Sequence, residues 1–255
     1  MSLKLITLNV QKNNHWERII PFLMRENADV ICVQEIFECD MGKIEALGYS
    51  AVFGFISTQL YDQQDRESGR PEGVALFTKL PIVSSDTYAY YQSPNPEKPQ
   101  AWFDPEIKRQ TTDGRVVVAT VEKDSAEYTI ATTHFTWTFA GVSSEFQHKD
   151  MTNLLAYLSR YPALAIAADL NIPRGQNEQY DRLTERFTDW VPRELAGSID
   201  LDLHLKGKDP KEAPQLATYM VDYLFSTHQF RVTDFRTKNG ISDHLAFIAD
   251  IERVG

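Results

Sequence analysis

Six times along the chain a short apolar run meets a residue able to bind a metal ion or move a proton. The runs are Leu5-Ile6-Thr7-Leu8-Asn9, Ile31-Cys32-Val33-Gln34-Glu35, Ile130-Ala131-Thr132-Thr133-His134, Ala165-Ile166-Ala167-Ala168-Asp169-Leu170-Asn171 and Tyr219-Met220-Val221-Asp222, with Ser242-Asp243-His244 just ahead of the last run. Runs of this length are strand-sized, and strands buried on both faces read as continuous apolar stretches. A lone carboxylate costs several kcal/mol to bury. The acids at these ends therefore need partners, and the economical arrangement makes them partners of one another through a shared cation.

Between the runs lie amphipathic stretches and turn signals, the pattern of a mixed sheet protein rather than a helical bundle. Strands are expected at 3–9, 29–35, 72–79, 116–122, 128–133, 163–168, 219–225 and 245–251. A turn at Lys123-Asp124-Ser125 joins the fourth and fifth of these. Trp16, Ile19, Ile20, Leu23 and Met24 recur at helical spacing, with Pro21 implying a kink or a late start. A short helix at 40–47 closes at Gly48, Ser144 and Gln147 form a capping box ahead of a helix through Leu158, and Asn177 opens a helix to 187. Residues 57–71 and 86–113 are expected to be long loops and the place of substrate selection.

Composition sets the outer bounds. With 255 residues, 42% hydrophobic and 24% charged, the chain is of ordinary globular make-up, which excludes collagen, disordered and disulfide-scaffold classes. One domain over 1–255 is expected, since no linker divides it. No run of 18 apolar residues occurs and strand-like alternation begins at Leu3, so neither a membrane span nor a signal peptide is expected. Cys32 and Cys39 stand outside any paired motif, so reduced thiols and a cytoplasmic location are expected. The formal charge of −10 disfavours passive attraction to nucleic acid or anionic membrane, so a phosphate-rich partner needs a local device such as a metal ion.

The donors are hard ones. Glu35, Asp169, Asp222 and Asp243 offer carboxylates, Asn9 and Asn171 offer amide oxygens, and no thiolate or histidine pair competes. That set suits Mg²⁺ or Mn²⁺ rather than zinc.

Taken together, Leu8-Asn9-Val10, Val33-Gln34-Glu35, Gly73-Val74-Ala75-Leu76-Phe77, Thr133-His134-Phe135, Asp169-Leu170-Asn171, Val221-Asp222-Tyr223-Leu224-Phe225 and Ser242-Asp243-His244 resemble the motifs of the endonuclease/exonuclease/phosphatase family, the metal-dependent phosphoesterases related to deoxyribonuclease I. The resemblance covers nearly the whole chain. It implies an α+β fold, a four-layer α/β/β/α sandwich of two mostly antiparallel sheets flanked by helices, with the active site where strand ends converge. It also implies roles: Glu35 as principal metal ligand with Asn9 beside it, and Asp243 as a further contact to the metal or its water. Asp169 would orient or deprotonate the attacking water, and Asn171 would hold that water or the phosphoryl oxygens. His244, oriented by Asp222, would bind the phosphate, and His134 would lie near the leaving group.

The chain departs from the family pattern at Gln11, where an acid is common, and at Ala168, where glycine is common. Arg115, just ahead of Val116, best fits the arginine that contacts phosphate in the family, with Arg109 as its competitor. The expected activity is hydrolysis of a phosphodiester, either nucleic acid or a small or lipid ester, by a monomer without stable membrane insertion. Phe135, Trp137 and Phe139 at period two form either a lipid-landing surface or one face of a core strand. The competing class is a catalytically silent binding module, against which the joint retention of Glu35, Asp169, Asn171, Asp243 and His244 argues.

Overall fold

The computed structural model describes residues 2–60, 69–99 and 105–254. Its strands are β1 (Ser2–Asn9), β2 (Val30–Phe37), β3 (Ser50–Leu60), β4 (Gly69–Thr78), β5 (Ile82–Tyr91), β6 (Gly114–Lys123), β7 (Ala126–Thr133), β8 (Ala165–Asp169), β9 (Thr188–Asp189), β10 (Asp222–Ser226), β11 (Phe230–Lys238) and β12 (Ala246–Arg253). The helices are α1 (Trp16–Glu26), α2 (Gly42–Glu45), α3 (Pro105–Lys108), α4 (Glu145–Leu158), α5 (Gln179–Thr184) and α6 (Ala213–Leu216). The strands form two six-stranded sheets, ordered β11-β12-β1-β2-β4-β3 and β5-β6-β7-β8-β10-β9. Each sheet has one parallel pair, β1 with β2 and β7 with β8, and the helical crossovers α1 and α4 make those two pairings possible.

Side-chain alternation decides the layering. Along β1, Leu3 and Leu5 face the other sheet while Ile6 and Leu8 face α1. The inter-sheet core packs Leu5, Cys32, Val74 and Leu76 against Val117, Ala119, Ile130, Ala167 and Leu224. On the outer face of the first sheet, Ile31, Val33 and Phe77 pack under Ile19, Phe22 and Leu23 of α1. On the outer face of the second, Val118, Ile166 and Phe225 pack under Met151, Leu154 and Leu158 of α4 and Leu183 of α5. The result is the expected helix, sheet, sheet, helix order.

Local signals hold in most places. Ser144 Oγ accepts from the Gln147 backbone N–H at 3.2 Å, the N-cap half of the expected capping box, while the Gln147 side chain donates instead to the Thr136 carbonyl. The β6–β7 hairpin turns on Asp124 and Ser125, both at positive φ, the signature of a tight primed turn. α1 begins at Trp16 and carries Pro21 on its exposed side, so the helix does not start late. The helix expected at 177–187 is shorter, Gln179–Thr184, with Asn177 Oδ1 accepting from the Gln179 N–H. Cys32 is buried, Cys39 exposed, and both are free. Among the described residues no helix is long and apolar enough to cross a membrane.

Four expectations change. The loop expected at 57–71 is in part the ends of β3 and β4, its centre lying outside the described residues. The loop expected at 86–113 begins inside β5 and ends with α3, with 100–104 outside the described residues. The run from 219 is not a strand until Asp222, so this acid opens β10 instead of ending a strand. β7 likewise ends at Thr133, so Phe135, Trp137 and Phe139 share no strand face: Phe135 is core, Trp137 lines a cavity and Phe139 is 73% exposed.

One end of the inter-sheet space is polar. β1, β2, β7 and β8 finish there while β10 and β12 begin there, and the last inward positions carry Thr7, Asn9, Gln34, Thr132, Asp169 and Asp222. Gln34 Nε2 donates to Thr7 Oγ1 at 3.2 Å and, across the sheets, to Thr132 Oγ1 at 2.9 Å. Strand register sets Asn9 beside Gln34, Asp222 beside Asp169, and His134 beside Asp169.

Candidate active site

The second sheet supplies a closed hydrogen-bonded group. Asp169, the last residue of β8, is 1% exposed, and both its oxygens are engaged. Asn9 Nδ2 donates to Oδ2 at 3.1 Å across the sheet interface, and the Asn171 backbone N–H donates to Oδ1 at 3.0 Å. Asn171 adopts φ +53°, a conformation asparagine tolerates, and its Nδ2 donates to the Phe135 carbonyl at 2.9 Å.

His244 Nδ1 lies 2.7 Å from Asp222 Oδ2 and 3.8 Å from Asp169 Oδ2. An ionised carboxylate only accepts, so Nδ1 carries the hydrogen and Nε2 is left for the cleft. Burial alone would lower the His244 pKa, but the Asp222 and Asp169 carboxylates outweigh it and hold the imidazole well above its ordinary value. Burial and the neighbouring Asp222 raise the Asp169 carboxyl. His134, whose Nε2 is 3.6 Å from Asp169 Oδ2 and 3.8 Å from Glu35 Oε1, is pushed down by burial.

The first sheet supplies a more strained group. The β2–β4 register shifts between Val33 and Ile36, a bulge within which Glu35 sits at φ +55°. An extra residue at a bulge re-aims its side chain, and Glu35 thereby escapes the alternation that would bury it under α1 and lines the cleft. Gln11 and Lys12 follow β1 at φ +48° and +63°, and the Lys12 backbone N–H donates to the Glu35 carbonyl at 2.9 Å. This turn brings Lys12 Nζ to 2.9 Å from Glu35 Oε2 and 3.9 Å from Glu72 Oε2. Burial would raise the Glu35 carboxyl, yet Lys12 and His134 hold it well below the usual range. Glu72 is more deeply buried, its Oε2 has no hydrogen-bond donor, and burial outweighs Lys12 to push it up to about 7. Burial likewise takes Asp243 up to about 6.

Glu35, Asp169, Asn171, Asp243, His244 and His134 line one cleft of about 520 Å³. Asn9 and Asp222 stand behind it, bonded to Asp169 and His244. A smaller hollow of about 120 Å³ adjoins the cleft along Lys12, Glu35, Lys108, His134 and Trp137. Arg115 lines neither cavity: its guanidinium donates to Asp113 Oδ2 at 2.7 Å and to the Phe55 carbonyl at 3.1 Å. Arg109 lines the hollow but is held by Asp150 at 2.5 and 3.1 Å and lies 3.5 Å over the Tyr91 ring. Lys12, Glu72 and Lys108 were not among the residues singled out from sequence. The only signal for Lys12 was its place just after the Asn9 motif.

The donor set fits a hard divalent cation. Glu35 and Asp243 present carboxylates to the cleft, and an internal ammonium already sits against Glu35, so the position selects for positive charge. Asp169, Asp222 and His244 also have one ligand atom each within 4.8 Å of one another and could hold a metal. There the His244–Asp222 hydrogen bond already occupies Nδ1 and one carboxylate oxygen.

Known proteins bear on this arrangement. No curated protein matches the chain. Among solved structures, an endonuclease/exonuclease/phosphatase from Beutenbergia cavernae DSM 12333 superposes with TM-score 0.74 at 17% identity, over 100% of this chain and 72% of that one. The human Nocturnin catalytic domain with bound sulfate gives 0.65 at 17% identity, over 99% and 95%. A mannosyl-6-phosphatase from Bacteroides thetaiotaomicron VPI-5482 gives 0.66 at 12%, over 98% and 100%. These likenesses show a shared fold, and the sequence profile of the family itself matches residues 6–244, from within β1 to His244. The chain belongs to the endonuclease/exonuclease/phosphatase family.

Proposed function

We propose that this protein is a Mg²⁺- or Mn²⁺-dependent phosphodiesterase that hydrolyses its ester by in-line attack of water. The observation that carries this reading is the His244–Asp222 hydrogen bond beside Asp169, with Glu35 lining the same cleft. Glu35 and Asp243, with Asn9 behind the cleft, would hold the cation, which would supply Lewis-acid stabilisation of charge on the phosphoryl oxygens. Asp169 is the water's orienter and base: each of its oxygens already accepts one hydrogen bond, which fixes the carboxylate plane and leaves a lone pair for the water. His244, protonated and held by Asp222, donates from Nε2 to a non-bridging oxygen as charge builds there. Asn171 holds the water or that oxygen, and His134 lies on the leaving-group side next to Glu35.

Support for a phosphate-type ligand comes from the bound sulfate in the Nocturnin domain and the phosphatase activity named for the Bacteroides protein. The test is hydrolysis of bis-p-nitrophenyl phosphate and p-nitrophenyl phosphate by wild type and His244→Ala, with Mg²⁺, Mn²⁺ or EDTA. Metal-dependent turnover of the diester, lost in the variant and exceeding that of the monoester, is expected. A monoester preference would make the protein a phosphatase, and metal binding with neither activity would favour the silent module.

A further inference from the structure

The cations around the cleft and hollow are unequally satisfied. Arg115 is spent on Asp113, Arg109 on Asp150, and Lys12 on Glu35. Lys108, at the end of α3, lies at the junction of the two cavities; among the described residues its ammonium makes no hydrogen bond or ion pair, lies 5.5 Å from the Trp137 ring, and feels Glu35 and Glu72 only through space. A half-buried ammonium with no hydrogen-bonded anion carries a desolvation cost that its own fold does not offset. Its backbone is nonetheless well anchored: the Lys108 carbonyl accepts from the Thr111 N–H at 3.1 Å, and the next residue, Arg109, is clamped by Asp150. The ammonium is thus held at the wall shared by Glu35 and His134 without an internal partner of its own.

From this arrangement we infer that Lys108, rather than Arg115 or Arg109, binds a phosphate oxygen of the substrate where the cleft meets the hollow. The inference rests on the phosphoester reading above and names a substrate-binding residue for it. An ammonium is a point donor with three hydrogens, suited to one phosphoryl oxygen, and Lys108 reaches both the hollow and the cleft along Glu35 and His134, while His244 lines only the cleft. The two arginines act instead as structural clamps on the segment that carries it.

Calorimetry with orthophosphate, with and without Mg²⁺, tests this on wild type, Lys108→Met and Lys108→Arg, together with KM and kcat for bis-p-nitrophenyl phosphate and melting in phosphate-free buffer. Lys108→Met is expected to weaken orthophosphate binding and raise KM by about tenfold or more, and Lys108→Arg to stay within about threefold of wild type. Melting of Lys108→Met should match or exceed wild type, because the variant loses an unpaired buried charge, whereas Arg109→Met should melt lower. Unchanged phosphate binding in Lys108→Met, an equal defect in Lys108→Arg, or wild type that binds no orthophosphate under either condition would overturn the inference. Wild type that binds orthophosphate through Lys108 yet hydrolyses no diester with either metal sinks the phosphodiesterase reading and leaves this one standing.

Discussion

The two halves of the cleft are built on different principles. On one side, Asp169 and Asp222 at the ends of second-sheet strands and His244 just ahead of β12 of the first sheet are almost fully buried and held by hydrogen bonds, Asp222 to His244 and Asn9 to Asp169. On the first sheet, Glu35, Lys12 and Glu72 depend on a bulge and a left-handed turn, and one Glu72 oxygen has no donor at all. A satisfied buried network is rigid and specific, whereas a partly satisfied one has capacity left for a ligand. Under the proposed function, fixed orientation falls to the Asp169, Asp222 and His244 group and exchange of cations to the Glu35, Lys12 and Glu72 group.

The sharpest way to break this contrast is to remove the rigid half. His244→Ala or Asp169→Asn should lower diester turnover by roughly a thousandfold while leaving the metal concentration for half-activity unchanged. A shifted metal titration in either would merge the two halves into one. Glu35→Gln should do the converse, raising the metal needed for half-activity on the order of a hundredfold, read equally by Mn²⁺ binding without turnover. Lys12→Met removes the internal competitor at Glu35 and should tighten Mn²⁺ binding roughly three- to tenfold, measured by electron paramagnetic resonance of free Mn²⁺. Weaker binding in that variant would make Lys12 a support for the ligand set rather than its rival.

The smallest effect is on stability against pH. The folded-state pKa of His244 is raised above its unfolded value, so the stabilisation it contributes is complete below about 6.5 and is lost as pH rises through the folded pKa. Urea unfolding between pH 6 and 9 should show that decline, and Asp222→Asn should flatten it. An identical slope in the variant would mean that the Asp222 contact does not set the protonation of His244.

The same contrast governs what could be read from sequence. Every strand recognised there, from 3–9 to 245–251, lies inside a sheet, and the four not recognised, β3, β5, β9 and β11, are the four sheet edges. Edge strands bury one side or none: β5 reads Ile-Val-Ser-Ser-Asp-Thr-Tyr-Ala-Tyr-Tyr with most positions exposed, so no apolar run announces it. In the site, Asp169, Asp222 and His244 were legible because strand ends place them. Glu35 was legible as a residue but not in its aim, which the bulge decides. Lys12, Glu72 and Lys108 come to the cleft through turns and pairings between distant segments, and no local pattern marks them.

Asn9 and Asp169 belong to different sheets, and so do Gln34 and Thr132, so both hydrogen bonds span the seam of the sandwich. The distance from Glu35 on the first sheet to Asp169 on the second is therefore a property of how Leu76, Val117, Ala119 and their neighbours fill the interior. A methyl group added or removed deep in that filling changes the width of the gap into which a phosphate must fit. Under the proposed function, selection on the bulk of buried alkyl groups is in this protein also selection on catalytic alignment.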